Sequence, residues 1–149
     1  MLKLTYLALI STFFNCLYAN ELSNDFQSNS FISKPLFLYS DPEQEISLEG
    51  ENATLMNSFE YLIENPKLEI KTDKFSSNIK ALQAEFNRRS MFINFRNSVT
   101  FKTFFEKEIL IESEKLSFDL NEQKLASNLS VFASMNGVNV NSLGIEILQ

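Results

Sequence analysis

From residue 36 onward the chain alternates apolar and polar positions with a period of two. The stretch SMFINFRNSVTF (90–101) carries the pattern plainly. Met91, Ile93 and Phe95 fall on every second position, and after Arg96-Asn97-Ser98 the alternation resumes at Val99 and Phe101. Successive side chains of a strand point to opposite faces, so this stretch predicts two short strands, each with one apolar face. The same period predicts strands over 36–40, 45–50, 60–63, 67–71, 78–86, 90–95, 98–105, 108–118, 123–126, 128–134 and 143–148. Turn-forming clusters separate several of them: Asn87-Arg88-Arg89, Arg96-Asn97-Ser98, Asp119-Leu120-Asn121-Glu122 and Asn136-Gly137. Outside the N-terminal segment no stretch carries a convincing helical period, so the expected class is all-β.

A spacing repeat of about 30 residues runs through the same region. Leu48, Ile79 and Ile109 correspond, as do Gly50, Ala81 and Ile111, then Leu55, Phe86 and Leu116. Leu68, Val99 and Leu129 follow, and after them Ile70, Phe101 and Val131. Each unit is expected to be a hairpin, with stacked units burying one continuous face.

Residues 1–19, MLKLTYLALISTFFNCLYA, are a targeting segment: Lys3 is positive and an apolar run follows from Leu4 to Tyr18. Roughly 15 apolar residues is short of the ~20 that span a bilayer as a helix, which favours a secretory signal cut after Ala19. Leu17 stands where a cleavage motif prefers a small side chain, which favours a retained anchor over 4–18. Both readings place the rest outside the cytoplasm. Residues 20–33 are polar and are expected to be a flexible lead-in, and 34–149 one β domain. The single cysteine, Cys16, lies in the targeting segment, so that domain is expected to hold together without a disulfide.

Net charge is −6, unevenly placed. Residues 20–66 hold nine acids against Lys34, residues 67–107 nine bases against four acids, and residues 108–149 six acids against Lys115 and Lys124. The acidic total argues against nucleic acid as a partner. The chain has no histidine, which removes Ser-His and Cys-His nucleophile pairs and, with no cysteine beyond Cys16, a zinc site. It has three glycines and no phosphate-binding loop. Asp25, Asp41, Asp73 and Asp119 sit in lead-in or turn contexts, where turn chemistry explains them. The expectation is a protein that is not an enzyme and takes no cofactor and no metal.

The order of elements from Ile46 to Ile147 resembles the lipopolysaccharide-export β-jellyroll family, LptC-like and LptA/OstA-like. LIENPKLEI (62–70) is similar to the family's strand with Asn-Pro, and IKALQAEFNRRSMFINFRNSVTF (79–101) to its next unit. ILIESEKLSFDLNEQKLASNLSVF (109–132) matches a further unit, with Leu116, Asp119 and Ser127 in place, and LGIEI (143–147) the closing strand at Gly144. Asn65-Pro66 and Gly144 bring it nearer to LptC. The resemblance implies an antiparallel β-jellyroll of two partly open, folded-over sheets in the periplasm. It implies a non-catalytic conduit that passes lipopolysaccharide from an inner-membrane ABC transporter complex toward the outer membrane, through other β-jellyroll proteins of the export bridge. Under it, Ile79, Phe86, Ile93, Phe95, Val99, Phe101, Ile111, Leu116, Leu129 and Val131 line the lipid path.

The expected sheet edges are 36–40, introduced by Pro35, and 143–148, whose one charge is Glu146. Leu36, Leu38, Leu143, Ile145 and Ile147 are therefore the candidate partner-edge residues, for pairing by β-augmentation. The alternative is a secreted β-sandwich, structural or protein-binding, in which the same apolar residues are core alone.

Overall fold

Antiparallel pairing joins the alternating stretches into one sheet. The computed structural model describes residues 30–40, 42–104 and 107–148, and for Leu148 the backbone alone. Its strands are β1 (Phe31–Ser33), β2 (Leu36–Ser40), β3 (Gln44–Glu49), β4 (Asn52–Leu55), β5 (Glu60–Glu64) and β6 (Lys67–Thr72). They continue as β7 (Ser76–Lys80), β8 (Gln83–Asn87), β9 (Phe92–Phe104), β10 (Glu108–Asp119), β11 (Lys124–Met135) and β12 (Val138–Leu148). There is no helix among the described residues. The expected targeting segment (1–19), residues 20–29 of the expected lead-in with Asp25, and Asp41 lie outside them.

The strands form a meander of eight chain passes. β1 and β2 are halves of the first pass, β3 and β4 of the second, β5 and β6 of the third, β7 and β8 of the fourth. β9 to β12 each run a whole pass. β2, β3, β6 and β7 pair in succession up to the second half of β9, and β1, β4, β5 and β8 pair up to its first half. β10, β11 and β12 then follow β9 in order. The result is an all-β, jellyroll-like fold: one antiparallel sheet curled into a half-barrel.

A crease runs across every pass and makes the sheet fold over. The first four passes are interrupted at Lys34-Pro35, Gly50-Glu51, Asn65-Pro66 and Ala81-Leu82. Backbone bonds stitch these interruptions into one line: Gly50 N–H to the Pro35 carbonyl, Glu51 to Glu64, Asn65 to Leu82, Ala81 to Pro66 and Leu82 to Asn97, at 2.9–3.3 Å. In the last four passes the line continues at Asn97-Ser98, at register shifts between Ser113 and Lys115 and between Ser127 and Ser130, and at Gly144. Left-handed backbone marks it, with φ of 52° at Lys34, 48° at Asn65, 64° at Asn97, 55° at Ser98 and 85° at Gly144. Such residues swing a strand out of one layer into the other. At Gly50 a Cβ would run into the Ile63 side chain and stand 2.9 Å from the Glu64 carbonyl, so the two passes approach as closely as glycine allows.

Several boundaries differ from the sequence reading, most of them because of this crease. The expected strand 78–86 divides into β7 and β8 at Ala81-Leu82, whereas 90–95 with 98–105, and 123–126 with 128–134, are the single strands β9 and β11. A left-handed pair or a bulge bends a strand without breaking its ladder. β4 and the first half of β12 (138–142) were not among the expected strands. Residues 31–33 of the expected flexible lead-in form β1, because the outer edge of β4 offers them a ladder: Phe31, Ile32 and Ser33 pair with Thr54, Ala53 and Asn52. The 31-residue shift holds for Leu48 with Ile79 and Leu55 with Phe86. In the third unit Ile111, not Ile109, continues the first row, and Phe118, not Leu116, the second.

Candidate functional site

Residues directly opposite each other on antiparallel strands share a face, so the register defines rows that cross the sheet. One row takes a residue from each pass: Phe37, Leu48, Leu68, Ile79, Phe101, Ile111, Ala133 and Val140. Its central members are buried and face the opposite layer, where Ile63, Ala84, Phe95, Leu116 and Phe118 are buried in turn. All the buried side chains here are apolar except Ser77, whose hydroxyl donates to the Thr103 hydroxyl at 2.7 Å.

The two ends of the row differ. At the first pass Phe37 reaches across the layers, its ring centroid 5.1 Å from those of both Tyr61 and Phe86. That side is closed. At the last passes the inward-facing positions are Met135 on β11 and its partner Val138, and Ala133 with its partner Val140. Val138 is 62 % exposed, Val140 53 % and Met135 44 %. In the other half of β12, Ile145 and Ile147 pack against the core. The inner face thus runs out as an uncovered apolar ledge where β11 and β12 approach their hairpin, and the half-barrel is open there.

Nine of the ten candidate path residues are buried on the inner face: Ile79, Phe86, Ile93, Phe95, Val99, Phe101, Ile111, Leu116 and Val131. Leu129 is not; it is 41 % exposed on the bulge of β11. One extra residue between Ser127 and Ser130 lifts Leu129 out of the inner face, although Leu125 before it and Val131 after it stand at the same parity and are buried. The edge candidates do fall on edges: among the described residues β2 pairs with β3 alone and β12 with β11 alone. Leu36, Leu38 and Leu143 are exposed there, whereas Ile145 and Ile147 turn inward. The ledge residues Val138 and Val140 were missed, although the alternation of Val138-Asn139-Val140 was a usable signal.

Charge is kept to the outer face and the turns. Lys67, Glu69 and Lys71 alternate on β6 and pair with one another, and Lys67 also reaches Glu49 at 3.4 Å. Hydrogen bonds from Lys67 and then Lys71 hold the Glu69 carboxyl below the ordinary carboxylate value, and the bond to Glu69 raises Lys67 despite some desolvation. Arg96 bonds Glu85 at 2.8 Å, and Lys124 pairs with Glu146 at 3.0 Å, so the one charge of the closing strand is tied back to β11. Among the described residues no three potential ligands converge on a metal position, and no helix is long and apolar enough to cross a membrane. What the inner face offers is apolar contact without directional bonds. In comparisons with known proteins, no family model and no curated protein matches the chain.

Proposed function

We propose that this protein is a non-catalytic, lipopolysaccharide-binding component of an export conduit, acting in the periplasm. Acyl chains would enter at the open side and pass along the inner face, and neighbouring jellyroll proteins and the transporter complex would join at the free edges of β2 and β12. The observation that carries the reading is the ledge of Met135, Val138 and Val140, exposed apolar surface continuous with the buried row. Each buried acyl CH₂ is worth about 0.8 kcal/mol, and a face without directional bonds lets a chain slide. The β-jellyroll-like architecture and the sequence resemblance support the same reading.

A second reading keeps the domain free of lipid, as a structural or protein-binding β module. The complete burial of Phe95, Phe101 and Phe118 favours it, because these rings already fill the space between the layers. One experiment separates the two. A photo-reactive side chain at Val140, on the ledge, is expected to cross-link to lipopolysaccharide, and one at Lys102, on the outer face of β9, is not. Equal labelling at the two positions, or none at either, would favour the lipid-free module.

A further inference from the structure

The turns at one end of the layers form a second surface. The β4–β5 turn (56–59), the β8–β9 turn (88–91) and the β10–β11 turn (120–123) lie side by side. Arg88 N–H donates to the Phe59 carbonyl at 2.8 Å and Leu120 N–H to the Met91 carbonyl at 3.0 Å, and the Asn121 side-chain amide donates to the Ser90 carbonyl at 3.1 Å. On this rim Met56 is 60 % exposed and Phe59 39 %. Arg88 and Arg89 stand in solvent, with the Arg89 guanidinium 5.5 Å over the Phe59 ring. Two of the rim's acids are engaged. The Glu60 carboxylate accepts from the side-chain amides of Asn57 and Asn87, and Asp119 accepts from the backbone N–H of Asn121 and Glu122. Glu122 is exposed.

The chain enters the domain at this same end. The Ser30 carbonyl accepts from Leu55 N–H at 2.9 Å, one residue before Met56, and Phe31 is 64 % exposed opposite Thr54. About 11 residues lie between the apolar run 4–18 and Ser30, a contour of at most roughly 40 Å. If that run stays in a bilayer, the end of the domain that meets the bilayer first is this rim.

We infer that Phe31, Met56, Phe59, Arg88 and Arg89 rest on the surface of an anionic membrane, taking residues 4–18 as its anchor. Guanidinium groups pair with lipid phosphates through two parallel hydrogen bonds. A phenyl ring and a thioether between them enter the boundary of headgroups and acyl chains. Two turns and the start of β1 presenting these groups in one rim fit a planar surface carrying phosphates better than an extended peptide, which would need a strand edge. The rim would set the domain upright on the membrane, with both free edges to its sides.

The chain contains no tryptophan, so a single introduced one reports its own surroundings. The full chain carrying Phe59→Trp, or Phe104→Trp at the other end of β9, is mixed with vesicles of brominated phosphatidylcholine, with or without phosphatidylglycerol. Fluorescence on the anionic vesicles is expected to be quenched several-fold more in Phe59→Trp than in Phe104→Trp. Adding Arg88→Glu and Arg89→Glu is expected to remove the excess, with circular dichroism confirming the fold. Equal quenching in the two variants, or an excess that survives charge reversal, would overturn the inference. If the charge-reversed protein does not fold, the comparison of the two tryptophan variants decides alone. Sedimentation with neutral vesicles reads the anchor separately. Protein held there without excess quenching on anionic vesicles keeps the anchor and sinks the rim. Protein released there that still shows the excess sinks the anchor and keeps the rim, and no binding to either vesicle sinks both.

Discussion

Phe37 and Val140 stand at opposite ends of one row of side chains that crosses all eight passes, yet Phe37 is clamped between Tyr61 and Phe86 while Val140 is 53 % exposed. The inner face of the half-barrel is therefore sealed on one side and open on the other, by the same periodic pattern.

Closure at Phe37 is expected to be worth more than packing at Val140. Phe37→Ala removes a half-buried ring and two edge-to-face contacts, and should cost about 2–4 kcal/mol. Val140→Ala should stay within about 1 kcal/mol. Urea unfolding of the two variants measures the difference, and similar costs would mean that the ledge is covered in solution.

The crease is expected to respond to single atoms. Gly50→Ala should lose about 1–3 kcal/mol, because the new methyl meets Ile63 and the Glu64 carbonyl. Ser98→Gly should be neutral or gain up to about 1 kcal/mol, since φ at Ser98 is 55° and glycine relieves left-handed strain at some cost in chain entropy. Thermal unfolding of the pair would show Gly50→Ala melting lower and Ser98→Gly unchanged or higher; a destabilised Ser98→Gly would place the strain elsewhere.

The free edges are expected to govern association, not stability. Leu143 is 84 % exposed on β12 and Leu38 67 % on β2. Leu143→Lys and Leu38→Lys should each leave stability within about 0.5 kcal/mol while weakening strand pairing with a partner. Light scattering and pull-down from envelope extracts read this directly, and unchanged association in both variants would remove the edges from the assembly.

The Lys67–Glu69–Lys71 ladder carries a pH signature. Glu69 is depressed below its unfolded value, so its contribution is present above about pH 4.5 and is lost as the pH falls through the lower folded value. Lys67 is raised, so its share is present below 10.5 and lost as the pH climbs through the raised value. Both groups are substantially solvated, and Glu69→Gln should cost only about 0.5 kcal/mol at neutral pH. The difference from the parent protein should shrink as the pH falls below about 4.5; a gap that stays constant on acidification would trace to packing instead of charge.

The sequence by itself determined the class and most of the interior. Alternation of the kind seen at Ile93, Phe95, Val99 and Phe101 obliges a strand with one apolar face, and in an all-strand chain that face must meet another sheet. Nine of the ten residues that the resemblance places on the lipid path are buried, and both expected edges are edges among the described strands. Tertiary structure alone decided where the passes bend and which layer each half joins. A left-handed Asn97-Ser98 pair or a bulge at Asn128-Leu129 is stable only when neighbouring passes crease in line with it, and that alignment is a property of pairing across the sheet. Leu129 departs from the inner face for this reason: it sits on the bulge itself, while Leu125 and Val131 on either side keep the period and are buried. Tertiary structure also decided that Val138 and Val140 stay uncovered while Ile145 and Ile147, on the same strand and with the same alternation, do not. A strand's pattern names the face that turns inward, and only the opposite layer's reach determines how much of that face is covered.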